Sequence, residues 1–447
     1  MTTPLFGCPV PSGPRSRCRT VAVALLGTLL AMLPLRPVVA QQFVDAAATI
    51  IEVPPGENAT ERLQEALIMV PEGGTVRLLA GRYAVTDGLS LDVPGVTVEG
   101  AGMERTVLSF AGQEGGSEGL LITADGITLK DFAIEDTKGD AIKAKGVKNI
   151  SFIRLRTEWT GGPKPTNGSY GLYPVESENV LIDGCVAIGA SDAGIYVGQS
   201  RHIVVRRSRA ERNVAGIEIE NSFFADVHDN LATHNTGGIL VFDLPNLPQQ
   251  GGHDIRVFRN RIVDNDQPNF APPGNIVANV PKGAGLMIMA NRRVEVFGNV
   301  FRGNATADVL VVSYPFDYKD PRYTPHPAAV FIHDNDFAAP VFAPEGELAS
   351  TLRERLGGQG ANIIFDGVMP LMDALFGRRP EEGIMIREDA HAHFANLRMI
   401  WAKLLPWHVD VDRDPARYRG SGRLEPPIAP VALPQDQGEK TTTEGGS

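Results

Sequence analysis

The sequence has little cysteine, few aromatic residues and a deficit of positive charge. Its 447 residues include three Cys, and aromatic residues make up 7% of the chain. With 42 Lys and Arg against 53 Asp and Glu, the formal net charge of −11 argues against a nucleic-acid-binding surface. The 48 Gly and 33 Pro are too many for long helical bundles. The 43% apolar fraction excludes a disordered chain and is sufficient for a large core.

No long apolar run follows residue 40, and the run before it has the pattern of a secretory signal. Arg15, Arg17 and Arg19 precede an apolar stretch at 21–33, and small residues precede Gln41. This stretch is too short for an ordinary membrane span. We therefore predict a signal peptide over 1–40, no membrane span in the mature chain and a periplasmic or secreted location. An uncleaved anchor is the alternative.

Short strands with alternating apolar and polar residues recur along the chain. A fixed number of residues after each strand lies one position, and these positions form a column when the repeats are aligned. The spacing along this column is 22 or 23 residues, or that period plus an insertion, which predicts a parallel β-helix. A leucine-rich repeat has a similar length, but its Leu spacing is missing, and a propeller needs about twice the period. We expect the last four members to form an asparagine ladder. The column is Ala101, Phe132, Leu155, Cys185, Ser208, Asn230, Asn260, Asn299 and Asn335.

The predicted fold is all-β: a right-handed parallel β-helix of nine to ten rungs with an N-terminal capping helix and a partly helical C-terminal cap. The capping helix is expected at 59–70, where Asn58 and Glu61 resemble a capping pair. Three further helices are predicted at 345–356, 369–377 and 392–404. The predicted organisation is a signal peptide at 1–40, an N-terminal cap and first rung at 41–94, β-helix repeats at 95–337, a C-terminal capping region at 338–424 and a disordered tail at 425–447.

Four insertions lie beside the second set of strands, at 158–169, 244–253, 266–284 and 314–327. Because long loops grouped on one face of a scaffold usually carry function, we expect them to stand as walls around a groove. The alternative is that they cover an exposed sheet. Trp159 is expected to offer its ring to a sugar, or else to pack at the base of its loop.

Alternation along 216–221 places the isoleucines inward and the glutamates outward. Stacking the repeats in this register predicts two outward columns, polar in one half and apolar in the other. We expect the candidate catalytic residues to share one exposed groove. The columns are Lys143, Tyr173, Tyr196, Glu218, Leu240 and Met287, and beside them Lys145, Val175, Gly198, Glu220, Phe242 and Met289.

The polar half offers two kinds of carbohydrate chemistry. Lys143 or Lys145 can neutralise a uronate while Tyr173 or Tyr196 transfers a proton. Glu218 and Glu220 lie about 6.6 Å apart on one strand face, a separation typical of inverting hydrolases. A solvated, inactive face is the alternative. No metal or cofactor is indicated. The candidate catalytic residues are Lys143, Tyr173, Tyr196, Glu218 and Glu220, and the candidate substrate-binding residues are Lys145, Glu176, Asp192, Gln199, Asn221, Asp243 and Trp159.

The stretches 190–199, 214–221 and 236–243 resemble the exported bacterial β-helix repeat proteins of the pectate-lyase-like superfamily, and one uncharacterised family in particular. The resemblance implies the fold. That superfamily contains polysaccharide lyases, hydrolases and mannuronan C-5 epimerases. The epimerases carry Tyr-Gly-x-Asp-Pro-His-Asp, whereas here Tyr170 to Glu176 read Tyr-Gly-Leu-Tyr-Pro-Val-Glu. The polygalacturonase pattern of Gly-His-Gly with Arg-Ile-Lys is also missing, so the catalytic residues do not transfer with the fold.

Two functions follow from these patterns. The first is an exported β-helix protein that binds a polysaccharide on its walled face, and the pattern leaves open whether it also processes the polymer as a lyase, epimerase or hydrolase. The alternative is a non-catalytic surface or scaffold protein that binds a protein partner through the apolar half of the cleft. Leu240, Phe242, Met287 and Met289 favour the alternative, because a glycan rarely needs such a surface.

Overall fold

Each repeat forms one turn of a coil, and each turn contributes a strand to each of three parallel sheets. The computed structural model describes residues 49–346, 349–376, 382–404 and 410–437. The predicted signal peptide lies outside these residues. Strands that occupy the same position in successive turns pair in parallel, which confirms the predicted parallel β-helix.

The three sheets contain 12, 10 and 11 strands within the described residues. Sheet A comprises β1 (Ile50–Val53), β2 (Thr75–Leu78), β5 (Thr97–Glu99), β8 (Thr128–Lys130), β11 (Lys148–Ile153), β14 (Glu178–Asp183), β17 (Arg201–Arg206), β20 (Phe223–His228), β23 (His253–Phe258), β26 (Arg292–Phe297), β29 (Ala328–His333) and β32 (Ile384–Arg387). Sheet B comprises β3 (Gly81–Ala84), β6 (Thr106–Ser109), β9 (Ala133–Glu135), β12 (Arg156–Glu158), β15 (Val186–Ile188), β18 (Arg209–Glu211), β21 (Leu231–Thr233), β24 (Arg261–Val263), β27 (Val300–Arg302) and β30 (Asp336–Phe337). Sheet C comprises β4 (Leu89–Leu91), β7 (Glu118–Ile122), β10 (Asp140–Lys145), β13 (Tyr170–Val175), β16 (Ala193–Gly198), β19 (Ala215–Glu220), β22 (Gly237–Phe242), β25 (Ala284–Met289), β28 (Ala307–Val312), β31 (Ile363–Phe365) and β33 (Phe394–Asn396).

The core lies inside the coil, where side chains of the same kind stack from turn to turn. Ile195, Ile217 and Ile239 are register partners on sheet C, and all three are fully buried. β-branched residues suit such a pleated, buried surface, and each contributes about 1.5–3 kcal/mol by leaving water.

The corner between sheets A and B holds the predicted asparagine ladder. The Asn260 Oδ1 atom accepts from the backbone N–H and the side-chain amide of Asn230, both at 3.0 Å. Asn299 accepts from Asn260 in the same way at 2.9 and 3.0 Å, and Asn335 from Asn299 at 3.0 and 2.9 Å. The chain enters this corner through one residue in the left-handed region, as at Asp229, where φ is 56°. The ladder prediction is confirmed.

A second asparagine ladder, which the sequence analysis missed, lies at the corner between sheets B and C. Its members are Asn213, Asn235, Asn265 and Asn304, and the side-chain amides of the first three each donate to the Oδ1 of the next at 2.9 to 3.1 Å. The signal was present, because each of these residues lies five positions after a member of the first column.

The N-terminal end of the coil is covered by helix α1 (Ala59–Met69), close to the predicted bounds. Leu63, Ala66 and Leu67 are buried and belong to the main core. The predicted capping pair is wrong, because Asn58 has a left-handed backbone and its side chain makes no capping hydrogen bond.

The parallel pairing continues beyond Phe337, where the sequence repeat fades. Strands β31, β32 and β33 extend sheets C and A past this point. The helices predicted in this region are present with shorter bounds: α2 (Ala349–Leu356), α3 (Leu371–Phe376) and α4 (Met399–Leu404). Short 3-10 helices lie at Ile276–Asn279, Pro415–Tyr418 and Pro434–Gln437. No helix among the described residues is long and apolar enough to cross a membrane.

The predicted disordered tail is wrong for residues 425–435, which lie along sheet A. Leu433 is fully buried against Leu181 and Val204. The Val431 N–H donates to Asp226 at 3.0 Å, and the Gln435 side chain donates to the Asn179 carbonyl at 2.8 Å. Ile428 of the same segment packs with Phe331 and Met385, and isolated anchors of this kind have no periodicity by which the sequence analysis could find them.

The docking of this segment can be tested by limited proteolysis. We expect Leu433→Asp to speed cleavage within 425–437 at least about tenfold, because a buried charge favours detachment of the segment. Ala432→Asp is the matched control, since Ala432 is exposed. Equal cleavage rates for the two variants would contradict the docking.

Candidate functional site

The outward face of sheet C has the register that the sequence predicts. Lys143 pairs with Tyr173 across β10 and β13, and Tyr196 pairs with Glu218 across β16 and β19. The neighbouring column pairs Gly198 with Glu220 and continues to Phe242. The polar half and the apolar half therefore lie side by side along one sheet, as expected.

The prediction of one exposed groove is wrong for three of its five residues. Tyr196, Glu218 and Glu220 are buried, and Glu218 is only 1% exposed. Lys143 and Tyr173 are half-buried. Residues 266–283 of the insertion predicted at 266–284, called here the lid segment, pack on this face instead of standing beside it, since Val277 and Val280 join the buried cluster that contains Tyr196. Asn269 braces this segment internally by donating to the carbonyls of Val277 and Val280 at 2.8 and 2.9 Å.

The apolar half of the face is also closed, which overturns the expectation that it offers a surface to a protein partner. Val277 and Val280 of the lid segment belong to one buried cluster with Leu240, Phe242, Met287 and Met289. From the other side, the Tyr323 hydroxyl donates to the Asp243 carbonyl at 2.5 Å. The loops thus supply the apolar cover that a partner would otherwise provide.

Three tyrosine rings pack together on the polar half. The ring centroids of Tyr170 and Tyr173 are 4.4 Å apart, those of Tyr170 and Tyr196 4.6 Å, and those of Tyr173 and Tyr196 5.0 Å. The tilted and edge-on arrangements are those that aromatic pairs prefer. The sequence analysis identified two of these residues and missed Tyr170 as a site residue, although it begins the same strand.

Three carboxyl groups lie against these rings. The Tyr196 hydroxyl donates to Glu220 at 2.7 Å, and the Tyr170 hydroxyl approaches Asp192 at 3.4 Å. The Glu218 Oε2 atom is buried and has no hydrogen-bond partner among the described residues. We call Tyr170, Tyr173, Tyr196, Asp192, Glu218 and Glu220 the tyrosine–carboxylate site. Asn275 of the lid segment donates to Asp192 at 3.2 Å and was also missed, because nothing in a loop sequence specifies what it covers.

Burial raises the pKa of all three carboxyl groups. The pKa of Asp192 rises to about 7 by burial, with the Asp140 charge adding to the effect, and that of Glu220 rises to about 7 by burial. The pKa of Glu218 lies well above its ordinary value, through burial and the charges of Glu220 and Asp192. The site therefore holds protons on carboxyl groups near neutral pH.

The lysines predicted to neutralise a substrate already have carboxylate partners. Lys143 Nζ lies 3.1 Å from Glu118 and 3.6 Å from Asp140, and 5.0 Å from the centre of the Tyr173 ring. Lys145 is exposed, with Nζ 3.9 Å from Glu176, which is exposed as well. Lys143 therefore belongs to the rim of the tyrosine–carboxylate site, whereas Lys145 and Glu176 are a solvated pair.

Three of the predicted substrate-binding residues have structural contacts instead. Trp159 is buried at the base of its loop, where its indole N–H donates to the Thr137 carbonyl at 2.8 Å. Asn221 is fully buried and holds the 244–249 loop through Leu244 and Gln249. Asp243 is buried and accepts from the Gly252 N–H at 2.8 Å. Trp159 and Asn221 are therefore enclosed by their own loops, contrary to expectation, because alternation does not reveal that the next loop folds back over a residue. Substrate binding by Asp243 stays a prediction.

Gln199 and Asp192 remain available to the site in different ways. Gln199 is half-buried, and its Oε1 atom has no hydrogen-bond partner in the described part of the chain. Asp192 is 7% exposed and lies between Tyr170 and the lid segment. Among the described residues, no group of three or more His, Cys, Asp or Glu side chains is arranged to hold a metal ion.

The buried carboxyl groups give the folding stability a defined pH dependence. Their folded pKa values lie above the ordinary values near 4, so the folded state keeps protons that the unfolded chain releases. We expect the melting temperature to fall as pH rises from about 4 to about 7, since Glu220 alone costs a few kcal/mol at neutral pH. Glu220→Gln should remove part of this fall. If the melting temperatures of wild type and Glu220→Gln differ by the same amount at every pH, the raised pKa of Glu220 is contradicted.

Residues 95–246 match the family model described as the right handed beta helix region. The chain is a right-handed parallel β-helix protein. This match, with three parallel sheets wound in one coil, confirms the predicted right-handed parallel β-helix. The chain is 25% identical over 300 residues to the preneck appendage protein of Bacillus phage PZA and to that of Bacillus phage phi29. The matched region covers 58% of this chain, and the chain spans 35% of the length of these curated relatives.

Solved structures show a similar coil at low sequence identity. The A-module of a mannuronan C-5 epimerase from Azotobacter vinelandii is 16% identical with a TM-score of 0.47, covering 74% of this chain and 90% of that one. An alginate lyase from Paenibacillus is 15% identical with a TM-score of 0.44, covering 66% of this chain and 97% of that one. At these identities the likeness concerns the fold alone.

Proposed function

We propose that this chain is an exported protein that binds a polysaccharide at the tyrosine–carboxylate site and hydrolyses its glycosidic bonds. The observation that carries the proposal is the packing of three buried carboxyl groups against three tyrosine rings on neighbouring turns of sheet C. Aromatic rings suit the apolar faces of sugars, and paired carboxyl groups are the common catalysts of glycoside hydrolysis. The proposal of export is supported by the pattern of residues 15–40.

Hydrolysis fits the site better than elimination or epimerisation. Burial raises the pKa of Tyr173 to about 12, and it raises those of Tyr170 and Tyr196 well above the ordinary value, so none of the three phenols is a ready base. The charge of Lys143 is already balanced by Glu118 and Asp140. The carboxyl groups, in contrast, carry protons that a glycosidic oxygen can accept near neutral pH.

The two glutamates then take the two roles of a hydrolase. Glu218, whose Oε2 atom has no hydrogen-bond partner among the described residues, donates a proton to the leaving oxygen as general acid. Glu220, held by the Tyr196 hydroxyl, accepts a proton from the attacking water as general base. Their separation of about 6.6 Å along the strand leaves room for that water, which corresponds to inversion at the anomeric carbon. The tyrosine rings and Asp192 position the sugar.

Substrate reaches these groups when the lid segment moves. Only Asn275 joins the lid segment to a carboxyl group of the site through a side-chain hydrogen bond in the described residues, and its Nδ2 atom donates to Asp192 at 3.2 Å. A sugar hydroxyl can take the place of that amide on Asp192. Loops that close over a site in this way exclude water from the reaction.

The proposal is tested with the secreted protein on a panel of neutral and acidic polysaccharides from bacteria, algae and plants. We expect new reducing ends from at least one polymer, with the inverted anomer formed first when the products are followed by NMR. An unsaturated product would show elimination and overturn hydrolysis. Binding without cleavage would overturn catalysis and leave a lectin-like protein, and the absence of both would overturn the whole proposal.

A further inference from the structure

The tyrosine–carboxylate site has buried acceptors that its own donors do not fully satisfy. Within the described residues, the Asp192 carboxyl group accepts from two uncharged donors, both at long distances: the Tyr170 hydroxyl at 3.4 Å and the Asn275 amide at 3.2 Å. Glu218 is 1% exposed, and its Oε2 atom has no hydrogen-bond partner there. Because a buried acceptor without a good donor costs free energy, the site favours a ligand that brings hydrogen-bond donors.

The three carboxyl groups of the site also lack a positive charge. The charged groups that raise their pKa values are other carboxylates, and no cation acts on any of the three. Asp140 acts on Asp192, and Asp243 acts on Glu220 together with Asp192. Each negative charge in the site therefore disfavours the next, and a cationic ligand relieves this repulsion whereas an anionic ligand adds to it.

The lysines nearest to the site do not supply the missing charge. Lys143 at the rim lies 3.1 Å from Glu118 and 3.6 Å from Asp140, so its charge is balanced there. Lys282 at the end of the lid segment pairs with Glu345, which is exposed. When the lid segment is closed, its side-chain contact with a carboxyl group of the site is therefore a neutral amide.

The three tyrosine rings suit an ammonium group. The chain itself places one there, because Lys143 Nζ lies 5.0 Å from the centre of the Tyr173 ring. At this distance the negative face of an aromatic ring attracts a cation, and clustered rings are a common recognition element for ammonium ligands. Tyr170 and Tyr196 pack on Tyr173 with centroids at 4.4 and 5.0 Å. The rings and the carboxyl groups thus favour the same kind of ligand.

We propose that the tyrosine–carboxylate site binds an amino sugar, whose ammonium group takes the place of the Asn275 amide on Asp192. The polymer is then a polysaccharide of hexosamine units with free amino groups. An ammonium group has three N–H donors and a full positive charge, the two features that the site lacks. Glu218 and Glu220 stay free for the reaction. The inference rests on the proposed function for the polysaccharide, but its test needs no hydrolysis.

The test compares the binding of glucosamine and galactosamine oligomers with that of their N-acetylated forms, by calorimetry near neutral pH. N-acetylation removes the charge and keeps the sugar ring and the linkage. We expect wild type to bind at least one amino form about tenfold or more tightly than its N-acetylated form, since hydrogen bonds to charged groups are the stronger ones. Asp192→Asn should reduce this preference to about twofold or less. Unchanged binding of the N-acetylated form shows that the variant is folded.

The matched control is Asp308→Asn, which makes the same change four strands further along sheet C. Asp308 is also buried, and it accepts from the uncharged amides of Asn304 and Asn362 at 2.8 and 2.6 Å. We expect this variant to keep the wild-type preference for the amino form, because Asp308 is remote from the tyrosine rings.

The outcomes separate this proposal from the proposed hydrolysis. Equal binding of the amino and N-acetylated forms, no binding of either, or the same preference in the Asp192 and Asp308 variants would overturn the ammonium site. If the amino form binds through Asp192 but is not cleaved, the ammonium site stands and hydrolysis fails. If a polymer is cleaved and wild type does not prefer the amino form, hydrolysis stands and the ammonium site fails.

Discussion

Glu218→Gln is expected to lower the rate of polysaccharide hydrolysis by about 10²–10⁴-fold, the usual contribution of a general acid. The amide cannot donate a proton to the leaving oxygen, although it has nearly the shape of the protonated carboxyl group. The variant should keep its fold, because burial already disfavours the negative charge that the substitution removes. The measurement is the rate of reducing-end release by wild type and variant at equal concentration of folded protein.

The matched control for this variant is Glu388→Gln at the far end of the coil. Glu388 is a half-buried carboxyl group whose pKa burial raises to about 7, and it accepts from Asn335 at 3.0 and 2.7 Å. We expect its replacement to leave hydrolysis unchanged. The wild-type rate should also decline at alkaline pH, where the acid loses its proton, because burial holds the pKa of Glu218 well above its ordinary value. If Glu218→Gln keeps more than half of the wild-type rate, Glu218 is not the acid.

The register of the site could be predicted because a β-helix repeats the same position in every turn. The 22–23-residue period aligns Tyr196 with Glu218 and Gly198 with Glu220, and the structure has both pairs. Alternation within a strand then decides which side chains point outward. Any property that follows from the period and the pleat, including the asparagine ladder, is therefore contained in the sequence pattern.

The accessibility of the site could not be predicted, because it depends on segments without a period. The lid segment joins the buried cluster around Tyr196 and Leu240 through Val277 and Val280, and neither residue belongs to a repeat. Leu433 docks on sheet A from more than 200 residues away in the chain for the same reason. Insertions and tails take their positions through non-local packing. Alternation therefore shows which side chains point away from the core, but it does not show which of these side chains are exposed to solvent.

Asn260→Leu is expected to destabilise the folded chain by about 2–5 kcal/mol, because buried donors would lose their acceptor. The Asn260 Oδ1 atom accepts from both the N–H and the side-chain amide of Asn230, and all of these groups are buried. Leucine satisfies neither donor. In a coil whose turns contact only their neighbours, the defect weakens the middle of the stack. The measurement is the free energy of unfolding in urea.

The chain itself offers the matched control, Asn260→Ser. In the same column, the Ser208 hydroxyl accepts from the Cys185 N–H at 3.1 Å, so serine can replace one of the two bonds that the asparagine accepts. We expect Asn260→Ser to cost less than Asn260→Leu, although leucine buries more apolar surface. This order decides between two sources of stability at the corner: hydrogen bonding predicts that leucine is worse, and apolar burial predicts that serine is worse. Greater stability of the leucine variant would show that the ladder does not stabilise the coil.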